Sequence, residues 1–256
     1  MTKQDWLNKC LSWKEKWVAS KEQGDKLNDD SNGINIYKFI EILNQNLKED
    51  SIIVSETGSS CYTAAQGLKL NGKQRWICSW AQIEMGSALA MSVGACLGND
   101  RKETVVIIGD GGFNTNPQAL AVIKYFNLPI KIFVLQNNGY LSIKNTQDKF
   151  FNGLRIGTSV NDGLFFPNIQ HLASAYQINS LKIERISTLE SSMKTHIMKT
   201  NTPLIIEVIC PELQEIYPGI TASKNENGTL IQNDFSNMFP FLSEKEYNKE
   251  MIKDEV

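Results

Sequence analysis

At 256 residues the chain fits one large α/β domain, or one domain with sizeable tails. Charged residues make up 21% and the net charge is −2, which gives no electrostatic reason to expect nucleic acid or an anionic membrane as a partner. Five scattered cysteines (Cys10, Cys61, Cys78, Cys96, Cys210) without a CxxC pair suit a reducing compartment, and the start MTKQDWLNKC lacks a signal-peptide core, so a soluble cytoplasmic protein without membrane spans is expected.

Residues 1–33 are polar and carry Trp6, Trp13 and Trp17 at spacings of one to two helical turns. That pattern predicts an amphipathic helix and then a turn-rich linker, GDKLNDDSNG. Packing on its own domain and binding a partner are both open for this arm. From Ile34 the pattern becomes α/β. Ile36, Phe39, Ile40 and Leu43 form a helical face within 34–48, and SIIVSET (51–57) reads as a buried strand running into the turn GSS. A strand is predicted over 75–79, a helix over 85–97, a strand over 104–108 and a helix over 117–126. Then follow a strand over 130–136, a helix within 164–176, a strand over 181–186, a helix over 188–200 and the strand LIIEVIC (204–210). Residues 144–163 read as a loop, either a mobile cover over a ligand or an ordinary surface loop. The tail after Pro211 reads as polar and irregular, with an apolar cluster at Met238, Phe239, Phe241 and Leu242. Strands alternating with helices over this length predict a doubly wound, mainly parallel sheet with helices on both faces.

The informative segment is VVIIGDGGFNTNPQALAVIKYFNLPIKIFVLQNNGY (105–140). A buried strand stops at Gly109-Asp110-Gly111-Gly112, and a helix is predicted a few residues later. Glycines at such a turn let backbone N–H groups approach a phosphate closely. An anionic side chain there would repel the phosphate unless a cation sat between them, so Asp110 reads as a Mg²⁺ ligand. The next strand ends at Asn137-Asn138-Gly139-Tyr140, and adjacent parallel strands of a doubly wound sheet release their C-terminal ends into one crevice. Two ordinary βα turns would share this spacing.

This segment resembles the fingerprint of thiamine-diphosphate-dependent enzymes of the acetolactate synthase and 2-keto acid decarboxylase type: GDG, a helix, a strand, then Asn. By that resemblance Asp110, Asn137 and the carbonyl of Gly139 hold Mg²⁺; the metal residues stand 137 − 110 = 27 positions apart, the family's usual spacing, and Asn138 is the rival of Asn137. Gly109, Gly111, Gly112 and Tyr140 join the cofactor site. SETGSSCYTAAQ (55–66) resembles the family's diphosphate-binding turn, which carries over Gly58, Ser59 and Ser60. SWAQIEMGSALAMSVGACLG (79–98) resembles the segment that holds the pyrimidine. It carries over the carbonyl of Ile83 as an acceptor and Met85 as the apolar wedge beneath the cofactor. Trp80, Gln82, Ile83 and Glu84 depart from the family's small or neutral residues, which leaves acceptor preference in doubt. Gly86, Ala90, Gly94 and Gly98 form a small-residue stripe. Close approach of another subunit is favoured for it over internal packing, because the family's cofactor sites lie between subunits.

The resemblance covers roughly residues 3–245. It implies an N-terminal arm over 1–33, the diphosphate-binding (PP) domain over 34–212 and a tail over 213–256 near the active site. Glu56, Glu84 and Glu207 are available acids, but none falls on the family's relay Glu, which belongs to a pyrimidine-binding domain. The expectation is therefore one subunit of a split enzyme, a hetero-oligomer such as a dimer of heterodimers, whose partner chain brings that domain and its Glu. The reaction expected is carboligation from a 2-keto acid such as pyruvate (a transferase or lyase), with thiamine diphosphate and Mg²⁺ and without flavin. A 2-keto acid decarboxylase subunit and a non-catalytic cofactor-binding or regulatory partner are the alternatives. A hydrolase is disfavoured: there are two histidines, His171 and His196, and neither a G-x-S-x-G elbow nor a Walker GK[ST] loop.

Overall fold

The computed structural model of the protein describes residues 2–224 and 226–251. They fall into two compact units, residues 24–215 and residues 2–23 with those from 216 onward. In the smaller unit, α1 (Lys3–Lys16) opens on a capping box in which Thr2 and Asp5 exchange hydrogen bonds. The tail predicted to be irregular instead contains an antiparallel hairpin and a helix. These are β7 (Ala222–Lys224) with β8 (Leu230–Gln232), and α10 (Glu244–Glu250). Glu250 of α10 accepts from Lys9 Nζ (2.6 Å) and from Trp13 Nε1 (2.8 Å) of α1.

The larger unit holds a six-stranded sheet in the order β2-β1-β3-β4-β6-β5, parallel throughout. Its strands are β1 (Ile52–Ser55), β2 (Arg75–Ile77), β3 (Thr104–Gly109), β4 (Ile130–Gln136), β5 (Asn179–Ile183) and β6 (Leu204–Ile209). Before β1 runs α2 (Ile36–Asn44), and between the strands run α3 (Ser59–Gly67), α4 (Ser87–Gly98), α5 (Asp110–Thr115), α6 (Ala119–Tyr125), α7 (Leu141–Phe150), α8 (Ile169–Ala175) and α9 (Ile186–Thr195).

Successive strand residues point to opposite faces, and the core divides accordingly. Ile53, Val105, Ile107, Phe133, Leu135 and Ile206 share one buried layer with Phe39 and Ile40 of α2 and Leu189 and Met193 of α9. Val54, Val106, Ile108, Ile132, Val134 and Ile205 share the other with Leu89 of α4, Leu120 and Ile123 of α6, and Ile169 and Ala173 of α8. The central strands β1, β3, β4 and β6 are apolar at nearly every position because both faces are covered, which is the condition for a parallel sheet.

Three local readings change. Helix α5 starts at Asp110 itself rather than a few residues later. Residues 141–150, mostly assigned to a loop, form α7, with Leu141 and Lys144 on its buried side; the one inward lysine hid the helical face. In the small-residue stripe, Gly86 is packed: with φ 88°, a Cβ there would lie 2.5 Å from Thr115 Oγ1. A Cβ on Gly94 or Gly98 would meet nothing within 4 Å, so these two positions are not packed against the sheet.

Candidate functional site

The C-terminal ends of β1, β3 and β4, three neighbouring strands, bring together the turns 56–60, 109–112 and 137–140. A Cβ on Gly109 would sit 3.9 Å from Ser60 Oγ, and one on Gly58 would sit 3.3 Å from Ser142 Oγ at the start of α7. Gly58 precedes α3 with φ 71°, a left-handed conformation that glycine adopts without strain. A Cβ on Gly111 would lie 2.4 Å from Tyr140 Cε1 and 3.1 Å from Met85 Cε, so both side chains pack directly against this glycine.

Asp110 is the electrostatic centre of the cluster. It is buried, and three backbone N–H groups donate to its carboxylate: Gly111 to Oδ1 (2.7 Å), Asn137 and Gly139 to Oδ2 (3.1 Å each). Burial pushes its carboxyl up to about 6, although those three hydrogen bonds and the charge of Lys144 pull the other way. Asn137 is buried as well, and its Oδ1 has no hydrogen-bond partner among the described residues. Its backbone carbonyl, by contrast, accepts from Lys144 Nζ at 2.9 Å. Asn138 differs: it is exposed, with φ 58°, and its Nδ2 donates to Glu212 Oε1 at 2.8 Å. Gly139 is pinned by its neighbours, since a Cβ there would stand 2.1 Å from the carbonyl oxygen of Thr158. Tyr140 N donates to that same oxygen at 2.8 Å. The later part of the segment read as either a cover or an ordinary loop is thus hydrogen-bonded to the turn 137–140, and Asp162 accepts from Ser159 N at 2.8 Å.

Sequence reasoning missed two buried charges. Lys144 is almost fully buried, and burial lowers its pKa; in the sequence it stands in the loop-like stretch 144–163. From the sequence, Glu56 is no more than an available acid. Its Oε2 accepts from Gly86 N (3.0 Å) and Ala88 N (3.3 Å), and its Oε1 from Thr57 N (3.0 Å). It thereby ties the end of β1 to the start of α4, and burial raises its pKa against the pull of those bonds. Gly112 makes room for it, because a Cβ there would be 2.7 Å from Glu56 Cγ. The 30-residue separation of donor and acceptor left no local signal in the sequence. The other two acids lie elsewhere. Glu84 is exposed and accepts from Ser79 Oγ at 2.6 Å, while Glu207 lies in β6 and accepts from Gln170 Nε2 at 2.6 Å.

Ile83 and Met85 lie on the exposed segment before α4. Ile83 has φ 54°, a conformation that a β-branched residue adopts only when its surroundings enforce it. Exposed apolar side chains gather along this part of the chain and in the segment after α7: Trp80, Ile83, Met85, Phe151, Leu154 and Ile156.

The family described as thiamine pyrophosphate enzyme, C-terminal TPP binding domain, matches residues 56–208. The chain belongs to this family. Among its relatives, the acetolactate synthase large subunit of Lactococcus lactis is 28% identical over 218 residues, covering 85% of this chain and 36% of the relative. The chloroplastic acetolactate synthase 3 of Brassica napus is 28% identical over 199 residues, covering 76% of this chain and 30% of the relative. The chain therefore spans about a third of the length of these relatives. A solved structure, the thiamine diphosphate-dependent 4-hydroxybenzoylformate decarboxylase of Rhodococcus jostii RHA1, shares the fold with a TM-score of 0.62 at 21% identity. That match covers 71% of this chain and 33% of the other. The fold class expected from the sequence, a parallel α/β sheet of the thiamine-diphosphate-binding type, is the one observed. No helix among the described residues is long and apolar enough to cross a membrane.

Proposed function

We propose that this TPP-binding domain is the diphosphate-binding part of an acetolactate synthase-like carboligase acting on a 2-keto acid such as pyruvate. In this reading a pyrimidine-binding domain on a partner chain completes the site. The observation that carries it is the buried Oδ1 of Asn137, without a partner among the described residues, on the residue whose backbone N–H donates to the buried carboxylate of Asp110. Two hard oxygen donors at adjacent strand ends suit Mg²⁺, which takes oxygen ligands and is commonly shared with phosphates. Asp110, Asn137 and the carbonyl of Gly139 would hold the ion. Among the described residues no three His, Cys, Asp or Glu side chains gather as a ligand set. A cation here would therefore rely on one carboxylate, neutral oxygens and the phosphates of its ligand.

When bound, thiamine diphosphate supplies the electron sink for decarboxylation of a 2-keto acid. The chain's own residues bind and orient it. Gly58, Ser59 and Ser60 offer hydroxyls and N–H groups after β1, and Gly109, Gly111 and Gly112 let backbone come close after β3. Met85, whose Cε reaches over Gly111, suits the wedge, and the strained Ile83 suits a carbonyl presented at a fixed angle. Tyr140 packs against the same glycine. The acids of the chain support a partner: Glu56 is held by three backbone N–H groups, Glu207 by Gln170, and Glu84 lies exposed on Ser79. A partner that covers the exposed Trp80, Ile83 and Met85 would also exclude water from the site.

Calorimetry of thiamine diphosphate with Mg²⁺, on the chain alone and with its partner, tests the reading. Asp110→Ala should abolish Mg²⁺-dependent binding; unchanged affinity in that variant rejects the metal assignment. A decarboxylase would use the same binding residues, so pyruvate turnover with and without a panel of aldehydes and keto acids separates the two reactions.

A further inference from the structure

The five cysteines are scattered in sequence, but the fold brings two of them together. Cys61 lies in the first turn of α3, directly after Ser60, and Cys78 directly follows β2. Strands β1 and β2 are parallel neighbours in the register Val54↔Ile77, so the elements that leave them emerge side by side at the C-terminal edge of the sheet. There the two Sγ atoms stand 3.0 Å apart. That is about 1 Å beyond the ~2.05 Å of a covalent S–S bond. Cys61 is buried and Cys78 half-buried, so an oxidant in solution can reach one thiol and finds the second already in contact with it. Burial and the neighbouring Cys78 sulfur push the Cys61 thiol up to about 12, which keeps it protonated at neutral pH. Cys96 and Cys210 instead face the backbone carbonyls of Lys102 and Val208.

We propose that Cys61 and Cys78 form a redox modification site, a dithiol that peroxide converts reversibly into an intramolecular disulfide. The sulfur of Cys78 attacks a peroxide oxygen, giving a sulfenic acid and releasing one water. The sulfur of Cys61 then displaces the hydroxyl, which leaves as a second water with the Cys61 proton. Two S–H bonds are lost, one S–S bond forms, and two electrons pass to the peroxide. Closure links the first turn of α3, which carries Ser59 and Ser60, to the segment that begins at Ser79 and leads to Ile83 and Met85. This chemistry stands whether or not those residues bind a diphosphate.

The test uses the purified full chain, reduced, freed of reductant and exposed to a small excess of hydrogen peroxide. After quenching in denaturant, free thiols should fall from the five of the sequence to three. A peptide pair joining Cys61 to Cys78 should appear in the non-reducing digest, and dithiothreitol should reverse both changes. In Cys61→Ser the oxidation should stop at a sulfenic acid on Cys78, trapped by dimedone. Conversion of wild-type Cys78 to sulfinic acid without a linked peptide overturns the proposal, as does cross-linking of other cysteine pairs at the same rate.

Discussion

Asp110→Asn in the metal-free protein isolates the cost of burying one carboxylate. Burial holds the Asp110 carboxyl at about 6, above its ordinary 3.8. A raised folded-state pKa means that the native state binds the proton more tightly than the unfolded chain. The resulting stability is fully present below about pH 4 and is lost as pH rises through about 6. Roughly two units at about 1.4 kcal/mol each give a loss on the order of 3 kcal/mol across that window. Glu56 and Glu103 are also raised by burial and add their own slopes. Subtracting the variant's profile from that of the wild type cancels them. The asparagine introduces its own penalty, because its amide N–H groups must face at least one of the N–H donors of Gly111, Asn137 and Gly139. One unsatisfied buried donor costs about 1–3 kcal/mol. The variant should thus be clearly less stable than wild type at pH 4 and close to it at pH 7. Urea unfolding in EDTA at half-unit pH steps measures the difference. Parallel profiles for the two proteins would refute the argument, because they would mean that Asp110 titrates normally and is not electrostatically confined.

Gly139→Ala forces a methyl group to 2.1 Å from the Thr158 carbonyl oxygen. It should cost at least about 2 kcal/mol and speed amide exchange at Tyr140, whose N–H donates to that oxygen. Gly157→Ala, also at positive φ but with open space around it, should cost only about 1 kcal/mol and leave Tyr140 protected. Lys131, buried at the start of β4 with its Nζ donating to the carbonyls of Thr200 and Thr202, is pushed down by burial to about 8. A lowered lysine pKa contributes stability that is present above 10.5 and lost as pH falls through 8, so wild-type stability should rise between pH 8 and 10. Lys131→Met should flatten that rise in urea unfolding, and an unchanged slope would exclude the assignment.

The fold was legible because the strands announce themselves chemically. VVII, IKIFVL and LIIEVI are apolar at nearly every position, as a sheet covered on both faces requires, and their residues alternate between the two core layers in the structure. The three turns that meet at the strand ends were legible for a related reason. Small residues and polar oxygens directly after a buried strand have few structural uses, and 58–60, 109–112 and 137–140 all have that form. What escaped reading depends on contacts between distant parts of the chain. Lys144 makes a helix face look polar, and only the carbonyl of Asn137 explains its burial. Glu56 acts on N–H groups 30 and 32 residues away. The Cys61–Cys78 contact exists because β1 and β2 are neighbours, which no spacing of cysteines encodes.

These missed residues also bear on the proposal that the strand ends form a site rather than three turns that happen to meet. Lys144 satisfies the Asn137 carbonyl, and the N–H groups around Asp110 satisfy its carboxylate in part, while Asn137 Oδ1 has no donor among the described residues. A buried acceptor without a partner costs about 1–3 kcal/mol, and the buried carboxylate adds the pH-dependent cost derived above. A core selected for stability alone would replace both side chains with apolar ones, since a buried polar group is retained at a penalty unless something pairs with it. In the proposed reading a cation that takes up the two oxygens together would relieve both penalties. The coupling is measurable: Mg²⁺-dependent cofactor binding should raise the unfolding midpoint of the wild type, and should weaken about tenfold per unit as pH falls below about 6, where the proton competes for Asp110.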